Sequence, residues 1–483
     1  MANNNIPPDR PAQPPAELAE EPRLGWSFPA TFWFANGAEL FERAAFYGMF
    51  IALSVYLTRR IGFTDVGAGW VAAPFASILY LLPMFTGAWA DWIGFRKALM
   101  VAFALLSVGY ALLGGAGYLE KGTAECKLLA VGSLALIVLG GAMVKPVISA
   151  TVAKSSDAHH RARAFSIFYG VVNIGAFTGK SVAAPLRENL GLEYINFYAA
   201  AMAFCALILV ALFYRELKGE GIGRPIGEVF EGFLKVFSHF RFLALILIVA
   251  GFWTIQGQLY ASMPKYILRL QGEAAKPEWL ANINPAVVVL LVVPITHLVR
   301  RFRPENSIAI GLFIIPLSAL TISLTPLLRS WTGDTVDFTS TFHLHPLTVM
   351  VVVGIALIGF AECFLSPKFL EYASNQAPKG EEGLYLGYQH LTTFFAWLFG
   401  FVLSGYLLNA YCPDPETLSE SVRTDYDAAI ANNTALPEAY AHAHYIWYVY
   451  AAIGFAAFIA ILIFKYITRT IDRQREAQTP MAI

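Results

Sequence analysis

Charge is scarce in this chain: 14% of its 483 residues are Asp, Glu, Lys or Arg, against 57% that are hydrophobic. So low a polar content excludes a string of soluble domains, which would have no interior large enough to hide that much apolar side chain. Lipid must cover much of it. Neither sign of charge dominates either. The 34 basic and 34 acidic residues cancel, which leaves no footprint for nucleic acid and no polybasic lipid anchor. Cysteine is rarer still. Cys126, Cys205, Cys363 and Cys412 form no CxxC pair and lie far apart, so neither a zinc site nor a redox motif is supported. The chain has no GxxxxGK[ST] loop, no HExxH motif and no Ser/His/Asp arrangement in its apolar regions. An enzyme, a nucleotide-driven machine and a metal or cofactor site are therefore not expected. The first 25 residues are Pro-rich, carry both signs of charge and lack an apolar core before a small-residue cleavage site. They read as a disordered tail rather than a signal peptide.

What the chain does have is length of hydrophobic run. A bilayer core needs about 20 apolar residues per helix, and such stretches fall near 29–58, 66–90, 97–118, 127–153, 164–187, 194–214, 240–269, 279–300, 305–328, 346–374, 384–410 and 445–468. That predicts an all-α membrane protein of twelve transmembrane helices. An even count puts both termini on one side. Arg96, Lys97, Lys154, Arg161, Arg163, Arg300, Arg301, Arg303, Lys465, Arg469, Arg473 and Arg475 all fall on that side, so it is expected to be cytoplasmic. Arg59, Arg60 and Lys121 run against this bias. The predicted division is a tail over 1–28, a six-helix bundle over 29–214, a cytoplasmic linker over 215–239, a second bundle over 240–468 and a tail over 469–483. The linker has an amphipathic stretch around Val229 to Phe237. Cys126 and Cys412 are expected on the outer side but in opposite halves, where a bridge would tie together parts that should move, so a disulfide is disfavoured.

Three segments place charge where lipid should forbid it. In the first helix Glu39, Glu42 and Arg43 share one face at i, i+3 and i+4. In the fourth and tenth, Lys145 and Glu362 stand inside apolar runs. Such charges are costly unless they face a wet cavity, and they mark function by default; for Lys145 the alternative is a side chain snorkelling to the membrane edge. At the end of the second helix Gly87, Asp91, Gly94, Arg96 and Lys97 make a turn in which a carboxylate and basic groups can latch neighbouring helices and Gly87 permits close packing.

That turn resembles the GxxxDxxGxRK loop of the major facilitator superfamily. The run from Glu39 through Phe46 and Tyr47 to Gly48 resembles the ExxERxxYYG signature of the proton-coupled oligopeptide transporter (POT) family within it. Phe165 to Gly175, with Asn173, is similar to that family's FSxFYxxxNxG signature; Lys145-Pro146, Asn284-Pro285 and Glu362 with Ser366-Pro367 match its fourth-, eighth- and tenth-helix signatures. The resemblance implies a major facilitator fold with two six-helix bundles, in the cell (inner) membrane, carrying short peptides by proton symport and alternating access. It implies that Glu39, Glu42, Arg43 and Lys145 couple the proton, that Lys145 also handles the peptide carboxylate, and that Glu362 accepts the amino group. Tyr47, Tyr80, Asn173 and Asn284 are implied as contacts to the peptide backbone. Two buried charges of opposite sign, Lys145 and Glu362, suit a zwitterion.

The chain also departs from the family. Phe50 and Gly257 stand where most peptide-carrying members have an Arg and a Glu that pair across the halves as a gate. Losing both removes a matched pair without stranding either charge, so closure is expected to rest on other contacts. Lys180, seven residues beyond Asn173, is a further expected gate residue. Phe46 replaces the usual Tyr, and Gln389 stands where a Trp is common. His297 and His390 read as helix-end or packing residues. A divergent cargo (a modified peptide, an amino-acid conjugate or another small anion or zwitterion) is the alternative to a simple peptide, and a transport-dead sensor a more distant one.

Overall fold

Lipid offers no partner to a backbone N–H or C=O, so a chain this apolar must satisfy its backbone within helices. The computed structural model describes residues 28–478, apart from 158–159, 217–226, 229, 232–233, 235–236, 238, 340, 378–384, 386 and 433. Most of the expected linker, including most of its amphipathic stretch, and nearly all of the N-terminal tail lie outside the described residues. Among those described, ten helical stretches are long and apolar enough to cross a bilayer, and a bent pair makes an eleventh. The twelfth, at Arg161–Asn189, is as long but more polar.

The first six spans are α1 (Ala30–Arg59), α2 with α3 (Asp65–Leu81 and Pro83–Ile93), α4 (Phe95–Ala116), α5 (Ala124–Lys154), α6 (Arg161–Asn189) and α7 (Leu192–Phe213). The next are α8 with α9 (Phe240–Gln256 and Met263–Gln271), α10 with α11 (Pro277–Leu280 and Ile283–Leu298) and α12 (Pro304–Ser323). A short helix α13 (Thr325–Thr332) and a two-stranded hairpin, β1 (Val336–Asp337) with β2 (His343–Leu344), precede α14 (Pro346–Gln376). The chain ends with α15 (His390–Tyr411), a loop helix α16 (Glu420–Asn432) and α17 (Tyr445–Gln478).

The predicted spans and these helices coincide to within a few residues at most ends, with three differences. The second span bends by 53° between α2 and α3, where Pro83 lacks the N–H that would continue the ladder. The ninth stops at Ser323 rather than 328, since Pro326 starts a separate helix. The last runs on to Gln478, ten residues past the expected 468, because the polar stretch beyond the bilayer holds good helix formers.

The fold is that of two six-helix bundles. In the first, α1 lies against α6 and α7, and α4 against α5 and α7; in the second, α12 packs on α14 and α17, and α8 on α15 and α17. Between the bundles the most extensive contact is α2 against α15. Its closeness depends on two glycines. A Cβ at Gly69 would sit 2.7 Å from the carbonyl oxygen of Phe401, and one at Gly405 would sit 2.5 Å from that of Asp65, so only hydrogens fit there. Twelve alternating spans bring both ends of the described chain to one face of the molecule, here called the terminal face; the opposite face is the distal one.

Candidate binding cavity and its closed end

The charged face of α1 is held inside the protein by α6. A Cβ at Gly175 would come within 2.7 Å of the Arg43 Cβ and 2.8 Å of the Leu40 carbonyl oxygen, and one at Gly179 would overlap the Ala44 carbonyl oxygen at 2.2 Å. That contact leaves Glu39 and Glu42 each 1% exposed. Arg43 donates from Nε to Glu42 and lies 3.3 Å from Glu39 Oε1, while its guanidinium rests over the rings of Phe46 and Tyr47. Glu39 Oε2 has no hydrogen-bond partner among the described residues.

These three residues line a lobe of about 200 Å³ together with Lys145 from α5. The lobe adjoins a larger cavity of about 350 Å³ between the bundles; Tyr47, Tyr80, Lys145, Tyr169 and His390 belong to both. Glu362 lines the larger cavity from α14, and Asn284 on α11 donates to its Oε2 at 3.4 Å. Asn173 faces the same space and donates to the carbonyl oxygen of Tyr169 at 2.8 Å. Thus Tyr47, Tyr80, Lys145, Asn173, Asn284 and Glu362, scattered over six helices, meet in one cavity. For Lys145 the snorkelling alternative is not taken: the side chain lines both lobes.

The distal end of this cavity is shut. Phe50 is fully buried, stacks on Trp397 at 5.3 Å between centroids and on Phe46 at 5.1 Å, and meets Tyr260 at 4.8 Å. Gly257 does not face Phe50 directly: a Cβ there would meet Trp397 Nε1 at 3.0 Å. The glycine therefore makes room for an indole, which in turn covers Phe50. Lys180 is 1% exposed and donates to the carbonyl oxygen of Ala281, on the second bundle, at 3.2 Å.

Beyond this aromatic layer the bundles are joined by ion pairs that the sequence reading missed. Asp65 accepts from Lys265 at 2.9 Å and from Arg269 through both carboxylate oxygens, also at 2.9 Å. Arg269 continues to Asp414 at 2.9 Å and to the Cys412 carbonyl oxygen at 2.6 Å. Arg187 donates to Glu278 at 2.6 Å and to the carbonyl oxygens of Glu273 and Ala275. Nearer the surface Arg59 pairs with Glu273 and Lys121 with Glu416. Arg59 and Lys121 are two of the three residues that broke the charge bias along the sequence; the third, Arg60, pairs with Glu193 inside the first bundle at 3.0 Å. The bias was broken because these cations have a partner to meet.

At the terminal face Arg96 donates to the Ala211 carbonyl oxygen at 2.6 Å and so ties the loop to the end of α7. Asp91 makes no ion pair among the described residues. Gly94 has φ of 89°, which a side chain rarely adopts. Gly87 is less demanding than expected: a Cβ there would meet Pro146 Cβ at 3.4 Å, an ordinary contact. All four cysteines are free, Cys126 and Cys412 included. His390, expected as packing, lines both lobes, as Trp397, Tyr260 and Gln256 line the larger one. Trp397 Nε1 and Gln256 Oε1 have no hydrogen-bond partner among the described residues.

Twelve spans in two bundles about a charged central cavity define a membrane transporter. The family model for the Major Facilitator Superfamily matches residues 37–336, and the chain belongs to that superfamily. Among curated proteins it is similar to the multidrug resistance protein MdtH of Photorhabdus laumondii subsp. laumondii, at 25% identity over 58% of this chain and 67% of that one. It is also similar to MdtH of Sodalis glossinidius, at 24% over 75% and 82%. Among solved structures, a peptide transporter POT in complex with sulfate matches with a TM-score of 0.66 at 19% identity, over 92% of this chain and 95% of that one. A POT family transporter in complex with 5-aminolevulinic acid matches equally well, at 18% identity over 92% and 97%. The POT family transporter PepTSo gives 0.67 at 18% identity over 93% and 99%. At these identities the likeness is one of fold.

Proposed function

We propose that this protein is a proton-coupled symporter of the oligopeptide transporter family that imports di- and tripeptides by alternating access, with both termini in the cytoplasm of a cell whose inner membrane holds it. The observation that carries the reading is the shared position of Lys145. It lines the lobe with Glu39, Glu42 and Arg43 and also the cavity with Glu362, so a proton taken by the first group changes the field on a lysine that faces the substrate. A peptide lies with its carboxylate toward Lys145 and its amino group on Glu362, and Tyr47, Tyr80, Asn173 and Asn284 line its backbone. In this reading a distal face closed by Phe50, Trp397, Lys180 and the ion pairs belongs to the state that releases cargo to the cytoplasm. Reopening that face exchanges Asp65–Arg269 and Arg187–Glu278 for water.

A second reading keeps the cycle and changes the cargo to a modified peptide, an amino-acid conjugate or another small anion or zwitterion. The replacement of both expected gate charges by Phe50 and Gly257 favours it, and the name multidrug resistance borne by the MdtH relatives points the same way. Competition by unlabelled compounds against tri-alanine counterflow in proteoliposomes separates the two. A peptide transporter is inhibited by di- and tripeptides and not by single amino acids or lipophilic cations.

A further inference from the structure

The larger cavity holds two lysines against one carboxylate. Lys145 and Lys180 line it, Glu362 is the only acidic residue of its lining among the described residues, and the acids of α1 belong to the adjoining lobe with Arg43. Lys180 is the unexplained one. It is 1% exposed, it reaches one carbonyl oxygen on the second bundle, and its ammonium lies 5.7 Å from the centre of the Tyr47 ring. Among the described residues it has no acidic partner, although a buried ammonium with no counter-charge is costly. As a gate contact alone, a neutral donor would hold the Ala281 carbonyl oxygen at lower cost.

By helix rise the two lysines stand at different depths along the space. Lys145 is nine residues from the terminal-face end of α5 and Lys180 nine from the distal end of α6, each about 14 Å of helix rise from its own end. Glu362, near the middle of α14, falls between these depths. Resting on the peptide reading above, we infer that Lys180 is a second anion-recognising residue at the roof of the cavity, and that the preferred substrates are peptides carrying an acidic side chain. In such a ligand the carboxyl terminus meets Lys145, the amino group meets Glu362 and the side-chain carboxylate meets Lys180. An extended tripeptide spans about 10 Å, enough to reach both lysines with the help of their own flexible side chains. A neutral peptide leaves Lys180 without a counter-charge, and a basic one places two cations together.

The test is competition in counterflow by Ala-Glu-Ala, Ala-Ala-Ala and Ala-Lys-Ala on wild type, Lys180→Gln and Lys180→Arg. A charge-assisted contact is worth about tenfold or more in affinity. Wild type should therefore prefer Ala-Glu-Ala over Ala-Ala-Ala by about that factor, with Ala-Lys-Ala weakest. Lys180→Gln should bring the first ratio to about one, and Lys180→Arg should keep it. Equal competition by the acidic and neutral peptides in wild type, or an unchanged ratio in Lys180→Gln, overturns the inference while leaving the peptide reading in place. Loss of the preference in both variants alike would show a packing role and also overturns it. Failure of all three peptides to compete overturns the peptide reading, and this inference with it.

Discussion

Asp65 on α2 receives Arg269 of the other bundle through both of its carboxylate oxygens, each at 2.9 Å, with Asp65 4% and Arg269 1% exposed. A bidentate pair so deeply buried fixes geometry as well as charge, and Lys265 and Asp414 complete it into a four-residue network. Removing one member of a buried ionic network costs about 3–5 kcal/mol, because the partners stay behind uncompensated.

Asp65→Asn should therefore destabilise the distally closed state and shift the protein toward the distally open one. Distances between spin labels on the distal ends of α2 and α9 should lengthen in the variant and stay short in wild type at the same pH. An unchanged distance distribution, with the protein folded, would show that the network is not what holds this face shut.

Glu42→Gln should abolish proton-driven accumulation and leave counterflow exchange partly intact. Glu42 is 1% exposed and bonded to Arg43, so the neutral amide imitates the protonated acid without being able to release the proton. Equal loss of both activities in a folded, membrane-inserted variant would contradict a coupling role.

Phe50→Arg with Gly257→Glu tests how the gate was remodelled. The arginine would displace a fully buried ring stacked on Trp397, and the glutamate Cβ would press on the indole of the same Trp397 at 3.0 Å. The two changes disrupt one packing unit, so the double variant should transport no better than Phe50→Arg alone. Recovery by the glutamate would mean that an ordinary charged gate can be rebuilt there and that the aromatic layer is dispensable.

Blocking the amino group of a peptide should weaken its binding by about 10- to 150-fold, the range expected for a charge-assisted contact of about 1.5–3 kcal/mol. Glu362→Gln should erase the difference between free and blocked ligands. Equal binding of both forms by wild type would remove Glu362 from the amine site.

Much of this was legible in the sequence because membranes penalise misplaced charge. Glu39, Glu42, Arg43, Lys145 and Glu362 stood out as ionisable groups in apolar runs, and the structure brings all five to two adjoining lobes. The helices were legible for the same reason. The gate was not. Asp65, Lys265, Arg269, Arg187 and Glu278 lie near helix ends, where charge is ordinary and a side chain that meets a partner across the bundles looks like one that meets water. The one available signal was the trio Arg59, Arg60 and Lys121, out of place by charge bias, two of which prove to be paired across the bundles. Trp397 and Tyr260 were hidden in a different way: in a chain this rich in aromatics, an indole over a glycine 140 residues away has no sequence pattern.

The central claim, that a proton gradient drives small peptides through this cavity, is tested most directly by uptake of labelled tri-alanine into proteoliposomes with an inward-directed proton gradient. The account predicts accumulation above the outside concentration, collapse of that accumulation on adding a protonophore, and no accumulation in Glu42→Gln. Uptake that only reaches equilibrium and is indifferent to the gradient, with the reconstituted protein folded, would contradict it.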